Sequence, residues 1–163
     1  QGKPSLALPF AAAGLCFNLA HSEDLALLAV TRGCHLGVDI EHLRPLNDAA
    51  DLVQRFFSRR ESDLFRALPP AQQPAAFFNL WTRKEAWLKA TGEGIAHSLH
   101  RVEVSFLPGE PARLLSLPEP FSCGPAWTLV DLAPQSGFTA ALAVQANQAQ
   151  LHCWHCPAPG VLD

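Results

Sequence analysis

The sequence predicts an α+β fold, with helices packed on one face of a mostly antiparallel sheet, and three observations predict it. Two short apolar runs near the start flank a polar turn, as paired antiparallel strands do. From Asn47 to Thr91 apolar residues recur at three- and four-residue spacing, the period of helices. Beyond Gly94 the chain returns to strand-like runs separated by Pro- and Gly-rich turns, so two helical segments and a long third helix lie between strands.

The elements follow in order. Leu15 to Ala20 and Leu25 to Thr31 are apolar runs separated by His21-Ser22-Glu23-Asp24, which predicts a hairpin with those four residues in its turn. Leu36-Gly37-Val38-Asp39-Ile40-Glu41 alternates strictly, so Leu36, Val38 and Ile40 face one way while Gly37, Asp39 and Glu41 face the other. Ala49, Leu52, Val53, Phe56 and Phe57 mark a first helix. A second opens at Ser58, because Ser58 and Glu61 have the spacing of a capping box and Leu64, Phe65 and Leu68 follow; Pro69-Pro70 ends it. The third and longest runs from about Ala71 to Thr91, with Pro74 in its first turn and Gly92 as its C-terminal cap. The later strands are read at Val102 to Phe106, Ala112 to Leu117, Trp127 to Leu132 and Phe138 to Gln145.

A chain of 163 residues, 48% hydrophobic and 17% charged, supports one compact unit with its own core. A net charge of -3, with no basic cluster interleaved with aromatics, argues against nucleic acid as a partner. No apolar stretch approaches the roughly 20 residues of a membrane span, and Gln1-Gly2-Lys3-Pro4-Ser5 lacks the features of a signal peptide, so a cytoplasmic protein away from membranes is expected. Five scattered cysteines fit a reducing compartment, with Cys16, Cys34 and Cys123 expected as small buried hydrophobes. The absence of methionine, even at position one, leads to the expectation of a piece of a longer polypeptide.

The chemistry starts with Asp39 and Glu41. Two carboxylates on the same face of a strand repel, and the remedies are a bound cation, a shared proton or full exposure to water. The long helix adds a third acid. At about 100° per residue, Phe78, Trp81, Glu85 and Leu88 share one apolar stripe, with Lys89 one turn beyond Glu85. A carboxylate in a core-facing stripe needs a cation, a proton or strong hydrogen bonds; an ordinary i,i+4 pair of Glu85 with Lys89 is the plainer alternative. If Glu85 meets Asp39 and Glu41, the three make an all-oxygen site suited to magnesium, with Lys84 and Lys89 near the phosphates of a pyrophosphate-bearing substrate. The tail His152-Cys153-Trp154-His155-Cys156 offers zinc ligands, but no second pair stands at finger-like spacing, and an irregular tail strand is the other reading.

Gly37-Val38-Asp39-Ile40-Glu41, followed by Trp81-Thr82-Arg83-Lys84-Glu85-Ala86 and Lys89, resembles the signature motifs of 4′-phosphopantetheinyl transferases. Gly2-Lys3-Pro4 and Phe17-Asn18-Leu19-Ala20-His21-Ser22 resemble the segments that precede them in the larger, Sfp-type branch, and together these matches span residues 2–106. The resemblance implies transfer of the phosphopantetheine arm of coenzyme A to a serine of an apo acyl or peptidyl carrier protein, dependent on magnesium. It implies Asp39, Glu41 and Glu85 as magnesium ligands, Glu85 also as the group that deprotonates the serine, and Lys89, with Lys84 as a neighbour, on the coenzyme A phosphates. His21 is implied as a phosphate contact, Lys3 and Pro4 as the stretch beside the adenine, and Glu61 as part of the active-site region. Ala20 departs from the family, where a serine commonly precedes the histidine. Sfp-type enzymes have two similar lobes, so residues 1–34 are expected to be a remnant of the first lobe and the interlobe hairpin, with 35–163 the catalytic domain. Arg55, Arg59, Arg60 and Arg66 are candidates for holding an acidic carrier. Two other functions stay open: a fragment that binds carrier or nucleotide without turnover, and a magnesium-dependent phosphohydrolase.

Overall fold

A computed structural model describes residues 5–7, 10–93 and 99–156. The hairpin is formed by β1 (Leu15–Ser22) and β2 (Leu25–Arg32), paired antiparallel from Leu15 opposite Arg32 to Ser22 opposite Leu25. Its turn is therefore only Glu23-Asp24, with Glu23 at φ 51°, and His21 and Ser22 belong to the strand rather than to a four-residue turn. Strand pairing captures these polar residues because each side of the hairpin has its own environment. Asn18, Ala20 and Ser22 are buried on one face, while Leu19 and His21 are exposed on the other.

β3 (Leu36–His42) is the edge of a three-stranded antiparallel sheet ordered β3, β7 (Phe138–Val144), β6 (Thr128–Leu132). Leu36, Val38 and Ile40 pack with Ala140, Leu142 and Val144 against Ala20 and the partly buried Cys16, Leu25 and Leu27 of the hairpin. On the opposite face Gly37 and Asp39 stand beside Ala143 and Ala141 of β7. That face is short of side-chain volume, and α3 (Gln73–Thr91) lies against it. Gly37 is required here by closeness rather than by its backbone angles: a Cβ on it would stand 2.2 Å from the Ala86 carbonyl oxygen and 2.3 Å from the Ala90 nitrogen. The sheet is thus covered by α3 on one side and by the hairpin on the other.

α1 (Ala49–Phe56) and α2 (Arg59–Arg66) pack beside α3. The Ser58 capping box forms as read: Ser58 Oγ accepts from Glu61 N–H at 3.2 Å and Ser58 N–H donates to Glu61 at 3.0 Å. A 3₁₀ turn over Pro70–Gln72 leads into α3, and Gly92 closes it at φ 79°. The two strands read at 102–106 and 112–117 shrink to β4 (Glu103–Val104) and β5 (Leu114–Ser116). Side-chain bonds replace a longer ladder there, since Ser105 Oγ donates to Pro111 O and accepts from Arg113 N–H. Among the cysteines, Cys16 and Cys34 are half-buried, whereas Cys123 is exposed, contrary to the expectation of a buried small hydrophobe. No helix among the described residues is long and apolar enough to cross a membrane.

Candidate functional site

α3 is the central element, and its three consecutive charged residues Arg83, Lys84 and Glu85 are all nearly inaccessible, at 2%, 0% and 3% exposure. Successive residues are turned by about 100°, so the three leave the helix in three directions. Each finds a different partner. Arg83 reaches β6, donating through Nε to Asp131 at 2.9 Å and through Nη1 to the Ser105 carbonyl at 2.6 Å. Lys84 turns toward α2, donating to Glu61 at 2.5 Å and to the carbonyls of Leu99 and Val102 at 2.6 and 2.7 Å. Glu85 faces the sheet.

Lys84 therefore corrects the expectation that it stands with Lys89 at phosphates. Five positions along a helix amount to about 140° of rotation, which puts the two ammonium groups on different sides. All three Lys84 protons are spent inside the protein, and burial pushes its pKa down, with Glu61 partly offsetting this. Glu61 is bound up in the same way, accepting from Lys84, Ser58 N–H and Val104 N–H. The pair ties α2, α3 and β4 together and offers nothing to a ligand.

The strand acids and the helix acid do come together electrostatically. Asp39 sits opposite Ala141, beneath α3, and Lys89 Nζ donates to its Oδ1 at 2.6 Å. Lys89 thus bonds the strand acid, and the plain i,i+4 pairing with Glu85 is not the arrangement adopted. Burial pushes the Asp39 carboxyl from 3.8 up to about 6, against the pull of Lys89 and with added repulsion from Glu41. Burial likewise pushes Glu85 from 4.5 up to about 7; Asp39 and Glu41 add to the rise and Lys89 opposes it. Glu41, at the mouth, accepts through Oε2 from Ser22 Oγ at 3.3 Å and from Arg44 Nη1 at 3.4 Å.

Two oxygens of this group are buried without a partner among the described residues, Asp39 Oδ2 and Glu85 Oε1. An orphaned carboxylate oxygen in the interior is costly, and two of them beside like charges fit a hard cation that takes oxygen ligands. Among the described residues no three His, Cys, Asp or Glu side chains are already gathered into a metal cage. The three-carboxylate set expected from the sequence is therefore not preassembled among these residues, and the two unpartnered oxygens on Asp39 and Glu85 are what fits a hard cation that fills its shell with waters and phosphate oxygens.

Lys3 and Pro4 fall outside the described residues. His21 is exposed on the face of the hairpin opposite Ser22, so strand alternation turns it away from the side on which Ser22 meets Glu41. Arg59 and Arg66 line a groove between α1 and α2, together with Gln54, Phe57, Ser62 and Asp63. Arg60 pairs with Glu103 at 3.2 Å and the Arg55 guanidinium lies over Phe56. The segment from Leu151 to Cys156 is exposed irregular chain, with the rings of His152 and Trp154 stacked 6.0 Å apart. Ser22 and Arg44 were not singled out from the sequence as groups acting on the acids. Arg44 lies three residues past Glu41 and could have been noticed; nothing local in the sequence announces Ser22.

Comparison with known proteins places the chain in a family. A family model for the 4′-phosphopantetheinyl transferase superfamily matches residues 35–143. The chain is 46% identical over 155 residues to the 4′-phosphopantetheinyl transferase HetI of Nostoc sp., covering 95% of this chain and 62% of that protein. It is 42% identical over 83 residues to the 4′-phosphopantetheinyl transferase psf-1 of Bacillus pumilus, covering 51% of this chain and 34% of that one. The chain therefore spans only part of the length of these relatives. Among solved structures, a holo-(acyl-carrier-protein) synthase from Bacillus anthracis, in complex with CoA (3′,5′-ADP), superposes with a TM-score of 0.53. At 22% identity, over 68% of this chain and 93% of that one, the likeness is one of fold.

Proposed function

The chain belongs to the 4′-phosphopantetheinyl transferase superfamily, and on that premise we propose that it transfers 4′-phosphopantetheine from coenzyme A to a serine of an apo acyl or peptidyl carrier protein. The observation that carries this reading is the pair of buried oxygens, Asp39 Oδ2 and Glu85 Oε1, that have no hydrogen-bond partner among the described residues, on two acids whose charges act on each other and on Lys89.

Asp39, Glu41 and Glu85 would hold magnesium, which when bound supplies positive charge to the pyrophosphate of coenzyme A. The rest is work for this chain's own side chains. Lys89, about a third exposed and anchored on Asp39, adds a cation that reaches a phosphate oxygen without leaving its carboxylate. Glu85 accepts the proton of the carrier serine, directly or through a water, and bound magnesium would keep its carboxyl in the ionised form that this step needs. The serine oxygen forms its bond to the phosphorus that bears pantetheine as the bond to 3′,5′-ADP breaks. α3 holds Glu85 and Lys89 one turn apart, and Gly37 lets the helix sit close enough to β3 for Lys89 to bond Asp39 and for Glu85 to feel the charge of Asp39. Arg55, Arg59, Arg60 and Arg66, on or beside the α1–α2 surface, form the proposed docking face for an acidic carrier.

The experiment is transfer of labelled pantetheine from coenzyme A to an apo carrier protein, with and without magnesium, for the wild type and Glu85→Gln. Magnesium-dependent labelling that Glu85→Gln abolishes while remaining folded is the expected result. Full labelling by Glu85→Gln would remove that residue from the mechanism. Coenzyme A binding without labelling would favour a binding fragment, and release of 3′,5′-ADP without any carrier would favour a phosphohydrolase.

A further inference from the structure

β3 is an edge strand, and the hairpin satisfies part of that edge with side chains instead of a backbone ladder. Asn18 and Ser22 stand four apart on the buried face of β1, and Val38 and His42 stand four apart on β3. Asn18 Oδ1 accepts from Val38 N–H at 2.8 Å, and Ser22 Oγ accepts from His42 N–H at 3.0 Å. The two residues differ in one respect. Among the described residues Asn18 bonds backbone, whereas Ser22 also touches an acid of the site.

A serine hydroxyl has a single proton and is free to spin when neither end is fixed. Here a lone pair is committed to His42 N–H, and Ser22 is only 8% exposed, so its proton is directed to Glu41 Oε2 at 3.3 Å. Arg44 reaches the same oxygen at 3.4 Å, but its side chain is 46% exposed and long, which makes it the looser of the two holds. The Glu41 carboxylate is thereby oriented by a buried group that belongs to a different part of the chain, 19 positions upstream.

We propose that Ser22 is a positioning residue that aims Glu41 at a divalent cation bound between β3 and α3. This rests on the cation-site reading above. Partners of this kind, one step removed from the metal, typically change metal affinity by roughly 10- to 100-fold when removed. A serine that only fastened the hairpin to β3 would alter stability and leave the cation untouched, as Asn18 should.

The test is calorimetric titration of magnesium into the metal-free chain, with thermal unfolding measured alongside, for the wild type, Ser22→Ala, Ser22→Thr and Asn18→Ala. Ser22→Ala is expected to weaken magnesium roughly tenfold or more, Ser22→Thr to hold it near the wild-type affinity, and Asn18→Ala to lower the unfolding temperature with the affinity unchanged. Should Ser22→Ala fail to fold, Ser22→Cys takes its place, because a thiol is a weak donor of nearly the same size. Wild-type affinity in a folded Ser22→Ala or Ser22→Cys protein overturns the proposal and leaves the cation site standing. A wild type that takes up no magnesium overturns both.

Discussion

Lys89 Nζ lies 2.6 Å from Asp39 Oδ1 across 50 positions of sequence, joining the last turn of α3 to the middle of β3. The bond compensates one of two oxygens on a carboxylate that would otherwise be buried among like charges, and its partner oxygen Oδ2 stays bare. Lys89→Met should therefore remove a positive charge from the reacting phosphates and leave Asp39 harder to ionise. Turnover should fall on the order of a hundredfold, with magnesium affinity reduced as well. Steady-state transfer kinetics check this, and an unchanged kcat would exclude Lys89 from the chemistry.

The pH dependence of the metal-free protein has a definite sign. Asp39 and Glu85 bind protons more tightly when folded, with pKa values raised from 3.8 to about 6 and from 4.5 to about 7. The stability they contribute is complete below about pH 4 and is lost as pH rises through 6 and then 7, on the order of a few kcal/mol in all. Urea unfolding at a series of pH values measures it. Glu85→Gln should flatten the upper part of the decline, and saturating magnesium should oppose it, because a cation favours the ionised acids.

Lys84→Met separates architecture from chemistry. Removing one member of a buried pair strands the other, so the loss should be about 3–5 kcal/mol, read from chemical denaturation. Restoring neutrality with Glu61→Gln in the same chain should recover part of it. At a temperature where the variant is folded, the Michaelis constant for coenzyme A should stay near that of the wild type; a large rise specific to coenzyme A would return Lys84 to the phosphates.

Gly37→Ala places a methyl group where the Ala86 carbonyl oxygen would be 2.2 Å away, which is backbone and cannot swing aside. α3 must lift from β3, at a cost of about 3 kcal/mol or more. Because the same contact brings Glu85 and Lys89 to Asp39, activity in any folded fraction should fall further than stability alone explains, as specific activity per folded molecule will show.

Charge reversal at Arg59 and Arg60 tests the carrier-docking face. Arg59 is almost fully exposed and only loosely paired with Asp63 at 3.9 Å, so replacement should leave the fold intact. The Michaelis constant for an acidic carrier should rise severalfold while that for coenzyme A does not. Equal effects on both would reject the face.

Much of this molecule is local, and the local part is written in the chain. The hairpin, the Ser58 capping box, the Gly92 cap and the alternation from Leu36 to Glu41 each depend on residues a few positions apart, so the sequence alone specifies them. The placement of Asp39 under the helix and of Glu85 in its buried stripe was legible too, because a strand face and a helix stripe each carried a carboxylate. The destinations of long side chains were not legible. Lys84 and Lys89 look alike in a motif, yet rotation about one helix axis sends the first to Glu61 and the second to Asp39. Ser22 read as a turn residue and became a strand residue with its proton on Glu41, since its partners come from β3 and exist only once the hairpin lies along that edge. Period and capping are properties of neighbouring residues, whereas the partner of a buried polar atom is chosen by whichever distant segment closes over it.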